Sequence, residues 1–418
     1  MSRLAVLNIG RLCTLAGPQR GRSRAEMSEL SVIDNAGLIC EDGRFVEIGK
    51  SLGVESRLRP DDEVINAGGR VVLPGFVDAH THAVFAGNRA DEFQKKVAGA
   101  TYQEIAAAGG GIKSTVRAVR AASLQQLSLE SKRHVEWMVR AGTTTAEIKS
   151  GYGLDSETEL KMLHAAKWLE GETGIRVVRT YLGAHAVPQE APGKAEYLDF
   201  VVNQMVPHVA REKYAEFVDI FVEQGYFEPE DAEKLSRVAK VHGLGVRMHV
   251  DQLTNGGGAE LAARIGAKTA DHLEQTGPEG IAALAKSPVF PVLLPASVYG
   301  IRAKKYPDAR GMIEAGLPVV LATDFNPGSS PTPSMSFCIS LAATQMAMTA
   351  AESITASTVN AAASLNLIHE TGSIEAGKSA DFVIHDIGHE SEIGYWSGLE
   401  TAVLTSAKGR VIYRRFAG

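Results

Sequence analysis

Short apolar segments alternate with helical patterns between residues 72 and 367, and this alternation constrains the fold more than any other feature of the sequence. Each apolar segment is followed by a polar or glycine-rich loop and then by a helix-like segment, clearest in Ser156–Leu169 and Asp231–Val241. Eight such units with right-handed crossovers predict a (β/α)8 TIM barrel. The predicted barrel strands are Val71–Ala79, Thr144–Ile148, Val177–Gly183, Val218–Val222, Val246–Val250, Thr269–Asp271, Val289–Leu294 and Val319–Ala322.

The two ends of the chain carry short strand-like segments instead of strand–helix units. We therefore predict that residues 1–71 and 368–418 together form one small, β-sandwich-like domain, and that residues 72–367 form the barrel. The predicted strands of the small domain are Leu4–Ile9, Ala36–Cys40, Arg44–Ile48, Asp381–His385 and Arg410–Arg414.

Charge and cysteine content narrow the class of protein. The net charge of −6 comes without a basic stripe, so nothing in the sequence favours binding to nucleic acid. Cys13, Cys40 and Cys338 are scattered and include no Cys-x-x-Cys pair, which favours a reducing compartment. The first residues do not resemble a signal peptide, and no apolar run reaches the ~18 residues of a membrane span. The predicted location is the cytoplasm, without a membrane partner.

A pair of histidines ends the first predicted barrel strand, in the run Leu73-Pro-Gly-Phe-Val-Asp-Ala-His-Thr-His82. Side chains alternate along a strand, so His80 and His82 point to the same side. Two imidazoles on one face at the end of a strand can bind one metal ion.

Polar residues also follow the other predicted strands, at the end of a (β/α)8 barrel where active sites lie. His249 on strand 5 and Asp324 on strand 8 would join His80 and His82 in a site that suits Zn²⁺ or Fe²⁺ and leaves a position for water. Asp324 could accept the proton of that water, and His272 could act as an acid–base partner. The other residues at these ends are Arg89, Lys149, Tyr152, His185, Glu223, Asp251, Gln252, Glu274 and Asn326.

These residues lie in motifs that resemble the amidohydrolase superfamily, and within it the imidazolonepropionase family. The superfamily motifs are Pro74-Gly-Phe-Val-Asp-Ala-His-Thr-His82, His249, His272, Thr323-Asp324 and the tail Gly372-Ser-Ile-Glu-Ala-Gly-Lys-Ser-Ala-Asp-Phe382. The family motifs are Ala83-Val-Phe-Ala-Gly-Asn-Arg89, Gly99-Ala-Thr-Tyr102, Ala108-Gly-Gly-Gly-Ile112, Ile148-Lys-Ser-Gly-Tyr-Gly-Leu154, Gly183-Ala-His185 and Asp324-Phe-Asn-Pro-Gly328. The resemblance covers nearly the whole chain.

The resemblance implies metal-dependent hydrolysis of the cyclic amide of 4-imidazolone-5-propanoate to N-formimidoyl-L-glutamate, the third step of histidine degradation. It also implies a homodimer and one Zn²⁺ or Fe²⁺/Fe³⁺ ion per chain. The residues that match the metal ligands of the family are His80, His82, His249 and Asp324. The residues that match its substrate-binding positions are Arg89, Tyr152, His185, Asn326, Gly328 and Ser329.

The chemistry of these side chains agrees with the implied substrate. Arg89 offers a bidentate fork to a propanoate tail, although a salt bridge with Asp91 or Glu92 is the alternative. Tyr152 can donate to the same end of the substrate, and His185 can polarise the ring carbonyl and stabilise an oxyanion. Gly328 would let the backbone approach the ligand.

Two positions bear on the mechanism. Some members of the family carry glutamate at the position of Gln252, whose amide has no useful basicity but can bind the imidazolone ring. The base is then Asp324 or His272. Dinuclear members of the superfamily use a carboxylated lysine at the end of strand 4, and Val218–Tyr226 contains no lysine, so we predict a single metal ion.

Two other functions fit parts of the sequence. The first is another cyclic amidohydrolase or aminohydrolase, such as a deaminase of a nucleobase-like ring, for which Arg89 would have no carboxylate to bind. The second is a binding or scaffold protein without a metal, which the complete ligand set disfavours.

Overall fold

The structure is a computed structural model that describes residues 3–99, 104 and 109–415, and its centre is a barrel of eight parallel strands. Each strand pairs with the next one along the chain. The barrel closes where the Asp324 amide donates to the His80 carbonyl at 3.0 Å and the His82 amide donates to the Phe325 carbonyl at 2.9 Å. This confirms the predicted (β/α)8 barrel. Its strands are β6 (Phe76–Thr81), β7 (Thr143–Lys149), β8 (Arg176–Ala184), β9 (Phe217–Val222), β10 (Gly245–Val250), β11 (Thr269–His272), β12 (Phe290–Leu293) and β13 (Val320–Leu321).

The helices follow the strands as predicted, and their ends show why they begin and stop where they do. The helix at Ser156–Thr173 begins after Asp155, whose carboxylate accepts from the Thr158 amide at 2.7 Å, and ends at Gly174, which has φ +79°. The α-helices are α1 (Ser51–Glu55), α2 (Ala90–Val97), α3 (Ile112–Ala121), α4 (Leu124–Arg140), α5 (Ser156–Thr173), α6 (Lys194–Phe200), α7 (Val206–Arg211), α8 (Pro229–Val241), α9 (Gly258–Ile265), α10 (Pro278–Leu284), α11 (Pro295–Gly300), α12 (Ala309–Ala315), α13 (Met335–Met346), α14 (Ala350–Ala356) and α15 (Val359–Ser364).

Both ends of the chain contribute to a second, mixed sheet, as predicted. Its strands lie in the order β16-β15-β14-β5-β1-β2-β3, and β4 pairs with β1. The sequence analysis missed β4 and β15, while the predicted bounds of the two domains stay a prediction. The strands are β1 (Arg3–Cys13), β2 (Val32–Glu41), β3 (Arg44–Lys50), β4 (Glu63–Asn66), β5 (Val71–Pro74), β14 (Phe382–His385), β15 (Ala402–Ala407) and β16 (Arg410–Arg414).

The prediction of one strand at Val71–Ala79 was wrong, because the chain changes sheets at Gly75. Strand β5 pairs with β1 and β14 in the terminal sheet, whereas β6 belongs to the barrel. A Cβ on Gly75 would lie 2.7 Å from the Cβ of Thr144, so only glycine allows β6 to approach β7 at this point. Apolar residues on both sides of the switch made the two strands look continuous.

The interior of the barrel contains charged residues as well as apolar ones. Five charged side chains on β7, β9, β10 and β11 have no exposed surface, which is rare unless such groups are paired. These are Glu147, Lys149, Asp219, Arg247 and Asp271. None of the helices in the described ranges is long and apolar enough to cross a membrane.

Candidate metal centre and active site

The four predicted metal ligands converge at the carboxyl end of the barrel. Asp324 Oδ1 lies 3.6 Å from His80 Nε2 and 3.5 Å from His82 Nε2, and His249 Nε2 lies 3.5 Å from His82 Nε2. His80 also groups with His249 and His272, with one ligand atom of each within 4.8 Å of the others. The strands therefore bring imidazole and carboxylate ligands together within the reach of one ion.

The hydrogen bonds of the buried histidines fit a metal cation. His80 Nδ1 lies 2.7 Å from Asp271 Oδ2, while His80 Nε2 is buried with no hydrogen-bond partner among the described residues. His249 Nδ1 lies 3.1 Å from Asp219 Oδ1. A carboxylate that accepts from Nδ1–H fixes the tautomer in which Nε2 carries a lone pair, as in carboxylate–histidine–metal sites. These residues suit a divalent metal ion.

The pKa shifts of the ligand histidines favour their neutral, metal-binding form. Burial, followed by nearby positive groups such as Lys149, holds the pKa of His80 well below its usual range. Burial and the neighbouring His185 do the same to the pKa of His82. Burial also lowers the pKa of His249, although Asp219 opposes the shift.

His272 differs from the other histidines of the cluster. Burial lowers its pKa, but the carboxylate of Glu274, with Oε1 3.2 Å from Nδ1, opposes burial, and the net pKa is raised. His272 is therefore the histidine of the cluster best able to hold a proton near neutral pH. Burial raises the pKa of Asp324, with His272 opposing it.

Four non-glycine residues at this end of the barrel have left-handed backbone, as do others elsewhere in the chain. Asp251, His272, Leu273 and Asp324 have φ values of +52°, +83°, +68° and +53°. Left-handed backbone is unfavourable for residues other than glycine and clusters at functional sites.

A cavity of about 700 Å³ adjoins the candidate metal ligands. All the predicted substrate-binding residues line it together with several ligands, so the structure brings the two sets together, while their individual roles stay predictions. The lining residues are His82, Arg89, Lys96, Ile112, Tyr152, His185, Phe221, Tyr226, His249, Gln252, Leu253, His272, Ile301, Arg302, Asp324, Asn326, Gly328 and Ser329.

Arg89 is held in the cavity wall, and none of the described residues serves as its counter-ion. Its Nε donates to the Oγ1 of buried Thr115 at 2.9 Å, and it forms no ion pair with another described residue. Glu92, the alternative partner, accepts instead from the Gly111 amide at 3.1 Å. The guanidinium also fills the space beside Gly328, because a Cβ there would lie 2.9 Å from Arg89 Cζ. Gly328 therefore makes room for Arg89 as well as for a ligand.

Tyr152, in the loop after β7, lies beside His185, which follows β8, with their ring centroids 5.6 Å apart. Glu159 accepts from the amides of Gly153 and Leu154 at 2.8 and 2.9 Å, which fixes the loop around Tyr152. His185 Nδ1 lies 3.0 Å from the Gly151 carbonyl, so it donates there and leaves Nε2 as the acceptor. Burial, followed by His249, lowers the pKa of His185 to about 3.

The polar groups of the loop after β13 form hydrogen bonds with one another. Asn326 Nδ2 donates to the Asp324 carbonyl at 2.6 Å, and its Oδ1 accepts from the Gly328 and Ser329 amides at 2.7 and 2.8 Å. Ser329 Oγ donates to Asp324 Oδ2 at 3.3 Å. Asn326 therefore shapes the loop and has little hydrogen-bonding capacity left for a ligand. Gln252, by contrast, lines the cavity, and its side chain has no hydrogen-bond partner among the described residues.

The sequence analysis missed the residues that hydrogen-bond to the candidate ligand histidines and hold them in place. Asp219 and Asp271 bind two of the candidate ligand histidines. Glu223, which the sequence analysis did place at a strand end, accepts from the Leu253 amide at 2.8 Å. Acidic residues inside apolar parallel strands, which are buried on both faces, were the available signal. The motif residues Ala100, Thr101, Tyr102 and Ala108 lie outside the described residues.

Comparison with known proteins assigns the family. Residues 71–414 match the Amidohydrolase family. The chain is 50% identical over 418 residues to an imidazolonepropionase of Solibacter usitatus (strain Ellin6076), with 100% of both chains covered. It is 42% identical over 417 residues to an imidazolonepropionase of Geobacillus kaustophilus (strain HTA426), with 99% of this chain and 98% of the relative covered.

A solved structure supports the fold. An adenosine deaminase from Xanthomonas campestris with bound Zn superposes with a TM-score of 0.75 at 17% identity, covering 99% of this chain and 93% of that one. The likeness extends over both the barrel and the terminal sheet. From the family match and the relatives at high identity, the chain belongs to the amidohydrolase family and, within it, to the imidazolonepropionases.

Proposed function

We propose that the protein hydrolyses the cyclic amide C–N bond of 4-imidazolone-5-propanoate to N-formimidoyl-L-glutamate, the third step of histidine degradation. The observation that carries the proposal is the position of Arg89, a cation without an ion-pair partner in the described chain, in the same cavity as the candidate metal ligands. A charge-assisted bond between a guanidinium and a carboxylate is stronger than a neutral hydrogen bond. The site therefore suits a small ring with an anionic tail better than a neutral nucleobase.

We further propose that one Zn²⁺ or Fe²⁺ ion binds to His80, His82, His249 and Asp324. When bound, such an ion supplies Lewis acidity and lowers the pKa of a water molecule at the site. The unpartnered Nε2 of His80 and the short distances to Asp324 Oδ1 support this set. We also propose that the protein is a cytoplasmic homodimer, as its family resemblance implies.

In this proposal the side chains of the cavity bind the substrate and transfer protons. Arg89 binds the propanoate, with Tyr152 donating to the same group, and Gln252 holds the ring. In its present tautomer His185 donates only to the Gly151 carbonyl, so polarising the ring carbonyl requires it to take a second proton at Nε2 against its lowered pKa. Asp324 accepts the proton of the attacking water. His272 returns a proton to the ring nitrogen as the C–N bond breaks, which matches its raised pKa.

The direct test is to incubate the Zn²⁺- or Fe²⁺-loaded protein with imidazolonepropionate and to detect formiminoglutamate by mass spectrometry. Adenine and guanine serve as matched neutral substrates for the alternative function. Formation of formiminoglutamate with no deamination of the nucleobases supports the proposal. Deamination of a nucleobase with no turnover of imidazolonepropionate would overturn it.

A further inference from the structure

A buried lysine inside the barrel contacts the carboxylates that bind the candidate metal ligands. Lys149 Nζ donates to Glu147 Oε1 and to Asp219 Oδ2, both at 2.7 Å, and lies 3.7 Å from Asp271 Oδ2. All four side chains are completely buried. Lys149 is not among the residues that line the cavity, so it has no route to a substrate.

The two aspartates connect Lys149 to metal ligands on different strands. Asp219 binds His249 Nδ1 through Oδ1 while it accepts from Lys149 through Oδ2. Asp271 Oδ2 faces both His80 Nδ1, at 2.7 Å, and the lysine. One ammonium group therefore reaches two of the four candidate ligands through a single intervening carboxylate each.

Arg247, the other buried cation of this network, cannot take over the position. Its Nη2 donates to the Ala79 carbonyl at 2.7 Å, and it lies 3.3 Å from Glu147 and 3.6 Å from Asp271. Its contacts do not include Asp219. Without Lys149 the Asp219 Oδ2 atom would lose the cation that holds it in place, and a buried carboxylate without a partner reorients or takes up a proton.

We propose that Lys149 is a positioning residue for the metal centre. By holding Asp219 and Asp271 in place, it fixes the ring orientation and the Nδ1–H tautomer of His249 and His80, and this determines how tightly the site binds its ion. The inference rests on the proposed metal site but not on the proposed substrate. Loss of such outer hydrogen-bond partners weakens metal affinity about 10- to 100-fold.

The test uses the double variant Lys149→Met/Glu147→Gln, which removes one charge of each sign and so preserves the net charge of the barrel interior. The matched control is Glu147→Gln alone, because Glu147 contacts the lysine but neither of the aspartates that bind His249 and His80. For each protein, the Zn²⁺ dissociation constant is measured by competition with a chromophoric chelator. The visible spectrum of the Co²⁺-loaded protein reports the ligand geometry, and circular dichroism reports folding.

We expect the double variant to bind Zn²⁺ about 10- to 100-fold more weakly and to change the Co²⁺ spectrum, while the control stays within about threefold of the parent protein. Equal affinity of the parent and a folded double variant would overturn the inference, as would an equal loss in the control. If the double variant does not fold, Lys149→Gln, whose neutral and shorter side chain cannot reach the aspartates as the ammonium group does, enters the same comparison and must show a loss of at least tenfold. A parent protein that binds no Zn²⁺ would overturn both this inference and the proposed metal site, whereas failure to hydrolyse imidazolonepropionate would overturn only the proposed substrate.

Discussion

Gly328→Ala should disable the substrate site without unfolding the protein. A Cβ at this position would lie 2.9 Å from Arg89 Cζ and closer still to Nη1. Non-bonded heavy atoms settle near 3.5 Å, so the guanidinium must retreat by about 1 Å. The nearest groups are the end of a flexible side chain and the Asn326 amide, and the φ of Gly328 is not in the left-handed region, so the fold should tolerate the methyl group.

The predicted loss in Gly328→Ala approaches that of Arg89→Ala. A charge-assisted interaction is worth roughly 1.5–3 kcal/mol, which corresponds to about one to two decades in kcat/KM. A misplacement of about 1 Å at a reacting site can cost on the order of 10²-fold. Steady-state kinetics with imidazolonepropionate on metal-loaded protein measures the loss, and thermal unfolding checks the fold.

A matched control and a double variant make this prediction refutable. Gly171 has nothing within 4 Å of an added Cβ, so Gly171→Ala should leave the kinetics unchanged. Because Gly328→Ala acts by moving Arg89, the double variant Arg89→Ala/Gly328→Ala should lose little more than Arg89→Ala alone. The reasoning is refuted if Gly328→Ala keeps the parent kcat/KM, or if the two losses add in full.

Three further predictions concern the metal, the proton and the fold. His249→Ala should lose both metal and activity, and elemental analysis should find one ion per parent chain; a ratio near two would refute the single-metal site. Asp324→Asn and His272→Ala should each lose at least about 10²-fold in kcat at saturating metal, while Gln252→Ala should change mainly KM; an equally inactive, metal-loaded Gln252→Ala would show that position 252 does more than orient the ring. Burial lowers the pKa of His385 to about 3, so the unfolded chain takes up its proton first. The resulting stability, roughly 5 kcal/mol, is present above pH 6.5 and is lost as the pH falls towards 3. Urea unfolding of His385→Gln should depend less on pH over that range, and identical pH profiles would contradict the assignment.

The sequence predicted the barrel and the convergence of its ligands because both follow from local rules. Alternation along a strand puts His80 and His82 on one side, and parallel strands end at one edge. The hydrogen-bonding that supports these ligands was not predictable from such rules. Asp219 and Asp271 lie within strand segments, and their contacts with His249 and His80 depend on how side chains of different strands meet inside the barrel.

Contacts between distant parts of the chain account for the other misses. Nothing local to Arg89 or Gly328 indicates that one fills the space left by the other, because the contact depends on how the last barrel loop lies against the first. The change of sheet at Gly75 depends in the same way on Thr144 of the neighbouring strand. The strand Ala402–Ala407 was missed because four of its six residues are small or polar and give a weak strand pattern.

The change of sheets at Gly75 ties the order of synthesis to the assembly of the metal centre. Strand β5 leads directly into β6, which carries His80, and its pairing with β14 joins Pro74 to Phe382. During translation the C-terminal residues emerge last, so until then β5 has an open edge on that side. Strand β5, which leads into the first ligand strand, is thus paired on both of its edges only when the polypeptide is almost complete, so this anchor of the metal site forms last.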